Sequence, residues 1–444
     1  MKLLWIAAAL LCSTGAIAQD TGGLTIDEAI AIARENNRLV KIAAARVEAA
    51  GAKADEANAG LLPSLRFEGS YRRLSDVDPF RVSLPFLPSP VTISPTVLDN
   101  YAMRVGVQQP LFTGFRLRSN ARSAERLAEA AAADARNDRA DLIVNVAAAY
   151  WGLYQAGELK KSADENVRRL EVFEKDAGAL LQSGLATRND LLRIQVQHSN
   201  AMLTRIDAVN DLQLAAMNLN NVLGWPLDQP VAVASVPGTG GDADTAAPGS
   251  ETAAGLMEQA LSDRPDLLGM RFRLEASRAA VTAAQGGWWP QILFSANYYY
   301  SRPNPRFLPT QDVFKGTWDV GVGVQLDLWN WGATAAQTEQ ARAQMRQTEF
   351  MLSQMQDNAA LDIRRQQLAL RRALEKVDVA RLAVGQAQEN LRITTEKFKN
   401  GLSTTADLLD ADVVMQSATT SLTGALAEFE LARVRRARSL GLLD

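Results

Sequence analysis

All sixteen prolines of this 444-residue chain fall outside two stretches, Leu111 to Trp225 and Thr310 to Asp444. A proline inside a helix costs about 3 kcal/mol, so stretches this long without one permit helices far beyond globular length. The periodicity agrees. Leu142, Val146, Ala149, Leu153, Ala156, Ala163, Val167, Leu170, Ala177 and Leu181 step by three, four or seven, and so do Leu352, Met355, Ala359, Ile363, Leu370, Leu374, Val377, Val384, Ala387, Leu391 and Phe398. Such stripes are those of coiled coils. The pattern predicts unbroken helices over Phe115 to Gln182 and Gly332 to Asn400, each about 100 Å long at 1.5 Å per residue. Shorter helices are expected at Thr25 to Gly60, Thr187 to Leu223, Glu251 to Gly286 and Thr404 to Leu440.

Between the helices the period changes to two in four segments. Leu65, Phe67, Gly69 and Tyr71 alternate with Ser64, Arg66, Glu68, Ser70 and Arg72. Tyr101, Met103, Val105 and Val107 alternate with Ala102, Arg104, Gly106 and Gln108. The same holds for Ile292 to Tyr300 and for Trp318 to Leu328. One face is apolar and the other polar or glycine, as in a transmembrane barrel strand of about ten residues. Trp288, Trp289, Trp318, Trp329 and Trp331 stand at the ends of these segments, where a membrane aromatic belt would lie. A soluble antiparallel sheet with one wet face would show the same alternation. The links Ser75 to Asn100 and Arg302 to Gly316 are proline-rich and read as exposed loops.

Composition narrows the function. With 47 Lys plus Arg against 50 Asp plus Glu, the chain lacks the basic surplus of a nucleic-acid binder. One His and one Cys leave no room for zinc clusters, disulfides or Cys/His catalysis, and no phosphate loop or nucleophile elbow is present. No catalytic residue, cofactor or metal is therefore expected, and His198 has no second His or Cys at ligand spacing. Lys2, the apolar run Leu3 to Cys12 and Ala16-Ile17-Ala18 form a secretory signal over residues 1–18, with the mature start at Gln19. Lipidation at Cys12 is disfavoured because Leu11 precedes it. No later apolar run could make a transmembrane helix, so entry into a membrane would require strands.

The chain is also duplicated. Ser183-Gly-Leu-Ala-Thr-Arg-Asn-Asp-Leu-Leu192 and Asn400-Gly-Leu-Ser-Thr-Thr-Ala-Asp-Leu-Leu409 agree at six of ten positions, 217 residues apart. Leu223-Gly224 with Leu440-Gly441, and Gly106-Val107-Gln108 with Gly323-Val324-Gln325, keep that offset. Leu62-Pro63 with Trp289-Pro290 has offset 227, so the first proline-rich loop is longer by ten. The reading is a first repeat at 19–224, a linker at 225–254, and a second repeat at 255–444. Each repeat runs helix, strand, strand, long helix, tight turn, helix. Four strands cannot close a barrel, so strands that span a membrane require several copies; three would give twelve strands, and closure alone allows other numbers.

Export signal, tandem repeat, paired strands, long helices and the duplicated turn Gly-Leu-x-Thr-x-x-Asp-Leu-Leu together resemble the TolC-like outer-membrane efflux proteins. The resemblance covers the mature chain. It implies a mainly α fold with a membrane β portion: four long-helix layers forming a periplasmic α-barrel, with the linker in the equatorial region, and four strands per protomer in a 12-stranded trimeric β-barrel. It further implies a homotrimer in the outer membrane of a Gram-negative cell, in contact with lipid, a periplasmic adaptor and an inner-membrane pump. The function implied is a passive exit duct for small molecules, or alternatively a type I protein secretion channel. A soluble periplasmic coiled-coil scaffold is the competing reading from the residues alone.

The two turns carry the candidate sites. Gly184 and Gly401 suit a positive φ past a helix end, and Thr187 and Thr404 suit N-caps, with Asp190 and Asp407 completing capping boxes. Asp410 lies one turn beyond Asp407, where the first repeat has Arg193, and capping does not call for it. The resemblance assigns Asp407 and Asp410 to a carboxylate constriction of the closed pore. It makes Gly184, Leu185, Thr187, Gly401, Leu402 and Thr404 candidates for adaptor contact, although a well-formed helix hairpin explains the glycines and threonines equally. Phe398 and Ser403 stand where the best-known pattern of the family has a tyrosine and an arginine, so a different set of contacts is expected to hold the closed state.

Overall fold

The computed structural model describes residues 23–78, 80–82, 88, 91–94, 96–234 and 260–443; the signal segment with Cys12 and most of the linker lie outside them. The elements in order are α1 (Ile26–Asn36), α2 (Arg38–Ala59), β1 (Ser64–Arg73), β2 (Phe80–Val82), β3 (Val91–Ser94), β4 (Asp99–Thr113), α3 (Arg116–Gln182), α4 (Arg188–Leu223), α5 (Pro265–Gln285), β5 (Gln291–Arg302), β6 (Lys315–Gln325), α6 (Ala333–Lys399) and α7 (Thr405–Ser439). A single 3-10 turn, Gly286–Trp288, precedes β5. The fold is mainly α with a smaller strand portion, as the periodicities predict.

The duplication is visible element by element. Both long helices have 67 residues and begin and end 217 positions apart. Each strand-to-helix corner takes two successive left-handed residues, Gly114 (φ 61°) with Phe115 (φ 66°) and Trp331 (φ 55°) with Gly332 (φ 80°). The repeats thus place one glycine and one aromatic at the same corner in opposite order. A left-handed non-glycine residue is costly, so the pair marks a corner whose geometry is fixed by its surroundings.

Three expectations need correction. The helix expected over Thr25 to Gly60 is broken at Asn37, whose backbone is extended (φ −63°, ψ 132°). The Asn37 amide Nδ2 donates to Val222 O at 2.6 Å, and its Oδ1 accepts from Leu39 N at 2.7 Å. A tertiary contact therefore replaces one local helix bond. The proline-rich link 75–100 is not wholly loop, because β2 and β3 pair in it as a second antiparallel sheet. The helix expected from Glu251 is interrupted at Arg264, between the helical residues 260–263 and α5, which starts at Pro265, the first-turn position where proline is tolerated. Residues 251–259 lie outside the described residues.

The chain divides into two compact units, one of Met1–Val40, Arg139–Leu256 and Ile363–Asp444, the other of Lys41–Asp138 and Met257–Asp362. Each draws on both repeats. In the first unit, Leu142, Val146 and Leu153 of α3 pack with Ala29 and Ala33 of α1 and with Leu219 and Leu223 of α4. A second cluster joins Leu170, Phe173 and Ala177 of α3 to Ile194 of α4, Leu391 and Phe398 of α6, and Leu408 and Ala411 of α7. Alanine recurs at these seams, where a small side chain lets helix axes approach closely. The second unit contains the four-stranded antiparallel sheet, in the order β1-β4-β5-β6. Its central pair, β4 with β5, joins the first repeat to the second.

Candidate functional site

The two turns are built alike. Gly184 (φ 79°) and Gly401 (φ 68°) reverse the chain, and Leu185 N and Leu402 N return to Leu180 O and Lys397 O, each at 2.8 Å. Nothing lies within 4 Å of a Cβ placed on either glycine, so conformation rather than space is what calls for glycine. Thr187 Oγ1 accepts from Asp190 N at 3.2 Å, and Asp190 Oδ2 accepts from Thr187 N at 3.0 Å and from Thr187 Oγ1 at 2.6 Å. In the second turn, Thr404 Oγ1 accepts from Asp407 N at 3.1 Å. Asp407 Oδ2 accepts from Thr404 N at 2.9 Å, Thr404 Oγ1 at 2.7 Å and Ser403 Oγ at 3.2 Å. The Thr404 hydroxyl and backbone N–H hold the Asp407 carboxyl below its ordinary value, and the Thr187 groups do the same for Asp190. Both aspartates are therefore capping residues, whatever else they do. Asp410 is exposed, and so are Leu185 and Leu402 at the turns themselves.

Beyond the turns the repeats diverge. Asp412 of α7 is 1% exposed and accepts from Arg169 Nε of α3 at 2.9 Å. Burial pushes its carboxyl up, and the Arg169 charge opposes the rise. Its counterpart 217 positions earlier is Gln195, which donates to Glu174 Oε1 at 2.9 Å. His198 Nδ1 lies 3.0 Å from Glu174 Oε2, so the one histidine is a hydrogen-bond partner between α3 and α4. Hydrogen bonds from Gln195 and His198 lower the Glu174 carboxyl. None of these pairings was predicted, because each joins residues on separate helices. Phe398 is buried among Leu170, Phe173 and Leu408, and Ser403 supports Asp407. Among the described residues no group of three or more His, Cys, Asp or Glu could hold a metal.

The sheet separates its faces as the alternation requires. On one face stand the rows Leu65–Val107–Ala296–Val320 and Phe67–Val105–Tyr298–Trp318. Their large members remain exposed; Trp318 is 70% and Phe67 70% open. The opposite face carries Glu68, Arg104, Tyr299 and Thr317 in one row, and Arg66, Gly106, Asn297 and Asp319 in the next. Trp288 and Trp289 precede β5 and Trp329 and Trp331 follow β6, at one end of the sheet; Trp318 is near the other. All five are exposed. Among the described residues no helix is long and apolar enough to cross a membrane.

An exposed apolar sheet face next to very long duplicated helices is what known proteins match. The outer membrane efflux protein family aligns with residues 29–225 and 256–442, most of the chain in two blocks. The chain belongs to the outer membrane efflux protein family. Its members are export channels of the outer membrane rather than enzymes. Among relatives, the outer membrane efflux protein BepC of Brucella suis is 27% identical over 310 residues, 69% of this chain and 65% of that protein, a little under two thirds of its length. The alkaline protease secretion protein AprF of Pseudomonas aeruginosa is 24% identical over 351 residues, 78% of this chain and 70% of that protein. In structure, the outer membrane protein VceC of Vibrio cholerae superposes with a TM-score of 0.78 at 18% identity, covering 94% of this chain and 96% of that one. That similarity establishes the fold.

Proposed function

We propose that this protein is the outer-membrane exit duct of a tripartite export system, a passive conduit assembled from three copies and fed by an inner-membrane pump through a periplasmic adaptor. The observation that carries the reading is the sheet: an apolar face exposed along its length, with β1 and β6 as open edges. Open edges in lipid leave backbone groups unpaired, and closure with other copies removes them. Three copies give twelve strands.

The helices support self-association independently. Leu192, Val196, Leu203, Ile206 and Leu214 form an exposed stripe along α4 at coiled-coil spacing, and Leu368, Val379, Leu382 and Ile393 form another on α6. Within one chain α3 pairs with α7 through Arg169–Asp412 and Ser162–Gln416, leaving these two stripes to a neighbour. In such an assembly Asp407 and Asp410 ring the pore entrance, the turn residues Gly184, Leu185, Thr187, Gly401, Leu402 and Thr404 meet the adaptor, and the five tryptophans mark the lipid boundaries.

Reconstitution into planar lipid bilayers tests the duct: the expected result is a discrete conductance from a detergent-stable trimer. A monomeric, non-conducting protein recovered without detergent would favour the soluble scaffold instead. Placing glutamate at both Leu203 and Leu382 is expected to abolish the trimer while leaving helicity intact. A second reading, protein secretion, draws support from the AprF relationship. It predicts loss of an exported protease on gene deletion, whereas small-molecule efflux predicts drug or solvent sensitivity.

A further inference from the structure

The polar face of the sheet carries an uneven charge. Arg66, Arg72, Arg104 and Lys315 project from it, against Glu68 and Asp319. Both carboxylates are engaged. Glu68 Oε2 accepts from Arg104 Nη1 at 3.4 Å, and Asp319 accepts from Asn297 Nδ2 and Arg306 Nη2, each at 2.8 Å. Arg66, Arg72 and Lys315 make no ion pair among the described residues.

The β5–β6 link adds to this surplus instead of extending away. Asn304, only 2% exposed, donates from Nδ2 to Lys315 O at 3.0 Å and to Thr317 Oγ1 at 3.2 Å. Arg306 donates to Trp318 O at 2.8 Å as well as to Asp319, and the Phe307 ring lies 4.1 Å from Lys315 Nζ. The guanidinium groups of Arg104 and Arg306 lie 5.8 and 5.7 Å from the Tyr299 ring. The link is thus folded over the polar face and brings a fifth cation to it.

The geometry points to an anion-attracting mouth: Arg66, Arg72 and Lys315, which form no ion pair among the described residues, favour the passage of multivalent organic anions (carboxylates, sulfonates or phosphates) through the strand-built part of the channel. The inference rests on the duct reading, which turns the polar face toward the lumen. A low-dielectric wall concentrates the field of such charges, and guanidinium groups match planar oxyanions in shape. Repetition in each protomer multiplies the effect.

The test is single-channel recording of the reconstituted full-length protein, with inositol hexakisphosphate added from one side at a time. The expected result is block from the side of the strand loops. The triple variant Arg66→Gln, Arg72→Gln, Lys315→Gln should weaken that block about ten-fold and shift the reversal potential in a KCl gradient toward cations. Arg66→Lys with Arg72→Lys, which keeps the charge, should retain the block. A triple variant that forms trimers and is blocked as strongly as the unmodified protein overturns the anion-attracting mouth and leaves the duct intact. Absence of any conductance from the unmodified trimer overturns the duct reading and this inference with it.

Discussion

The turn at 183–187 and the turn at 400–404 share a backbone and differ in charge. Both have a left-handed glycine, a leucine returning to the helix end, and a threonine–aspartate capping box. Ala186 becomes Ser403, which adds one hydrogen bond to the second cap, and the charge differences lie outside the cap. Arg188 becomes Thr405, Arg193 becomes Asp410, and Gln195 becomes Asp412. The first turn is basic and the second acidic. Folding thus accounts for what the turns have in common, and function is best sought in what they do not.

The largest expected effect lies one turn beyond the caps. Arg169→Leu would leave the buried Asp412 carboxylate without a partner, a loss of about 3 kcal/mol in a urea titration of the protein. Burial has already raised that carboxyl. A raised folded value means stability is fullest below the ordinary carboxylate pKa of about 3.9 and declines as pH rises through the folded value. The Arg169→Leu protein should therefore be least impaired in acid. At the position equivalent to Asp412, Gln195→Leu removes one hydrogen bond to the partly exposed Glu174 and should cost only about 1 kcal/mol. Equal losses at the two sites would break the comparison.

Pore selectivity should respond next. Asp407→Asn with Asp410→Asn is expected to reduce the cation-to-anion permeability ratio several-fold and to relieve block by multivalent cations, while Asp190→Asn changes neither. If the double change leaves both unaltered, the acidic turn is a cap and nothing more. The glycines sharpen the shared half of the comparison. Gly184→Ala and Gly401→Ala each force a Cβ into a left-handed position and should each cost about 1 kcal/mol in thermal unfolding. Their equality, within error, is the expected sign that the two backbones do the same work.

What could be read from the sequence follows the distance over which each feature is determined. Proline exclusion and the apolar stripe, both properties of a single segment, place the long helices within one residue of their ends. The capping boxes were legible for the same reason, since Thr187 and Asp190 are three residues apart. The break at Asn37 was not, because its side chain bonds to a carbonyl 185 residues away. Nor was Asp412, whose partner is 243 residues distant and whose local sequence looks like any helix surface. The inward fold of the β5–β6 link depends on Asn304 and Arg306 reaching the neighbouring strand, and nothing in the Pro-rich composition of 302–316 announces it. Local chemistry reported the scaffold, and long-range pairs set the charges within it.

The smallest effect is the titration of the caps themselves. Hydrogen bonds from threonine hold both Asp190 and Asp407 below the ordinary carboxylate value. With folded values lowered, the stability they contribute is complete above about pH 3.9 and lost as pH falls through the folded values. Neither turn should loosen between pH 8 and pH 5, and both should open in stronger acid. Amide hydrogen exchange at residues 185–190 and 402–407, compared at pH 3 and pH 6 after correction for intrinsic rates, would measure this. Asp190→Asn and Asp407→Asn should each flatten the response at its own turn alone. A response confined to the second turn would mean that Asp407 is held by its neighbours across the pore more than by its own helix. The difference between the turns would then begin at the cap rather than at Asp410.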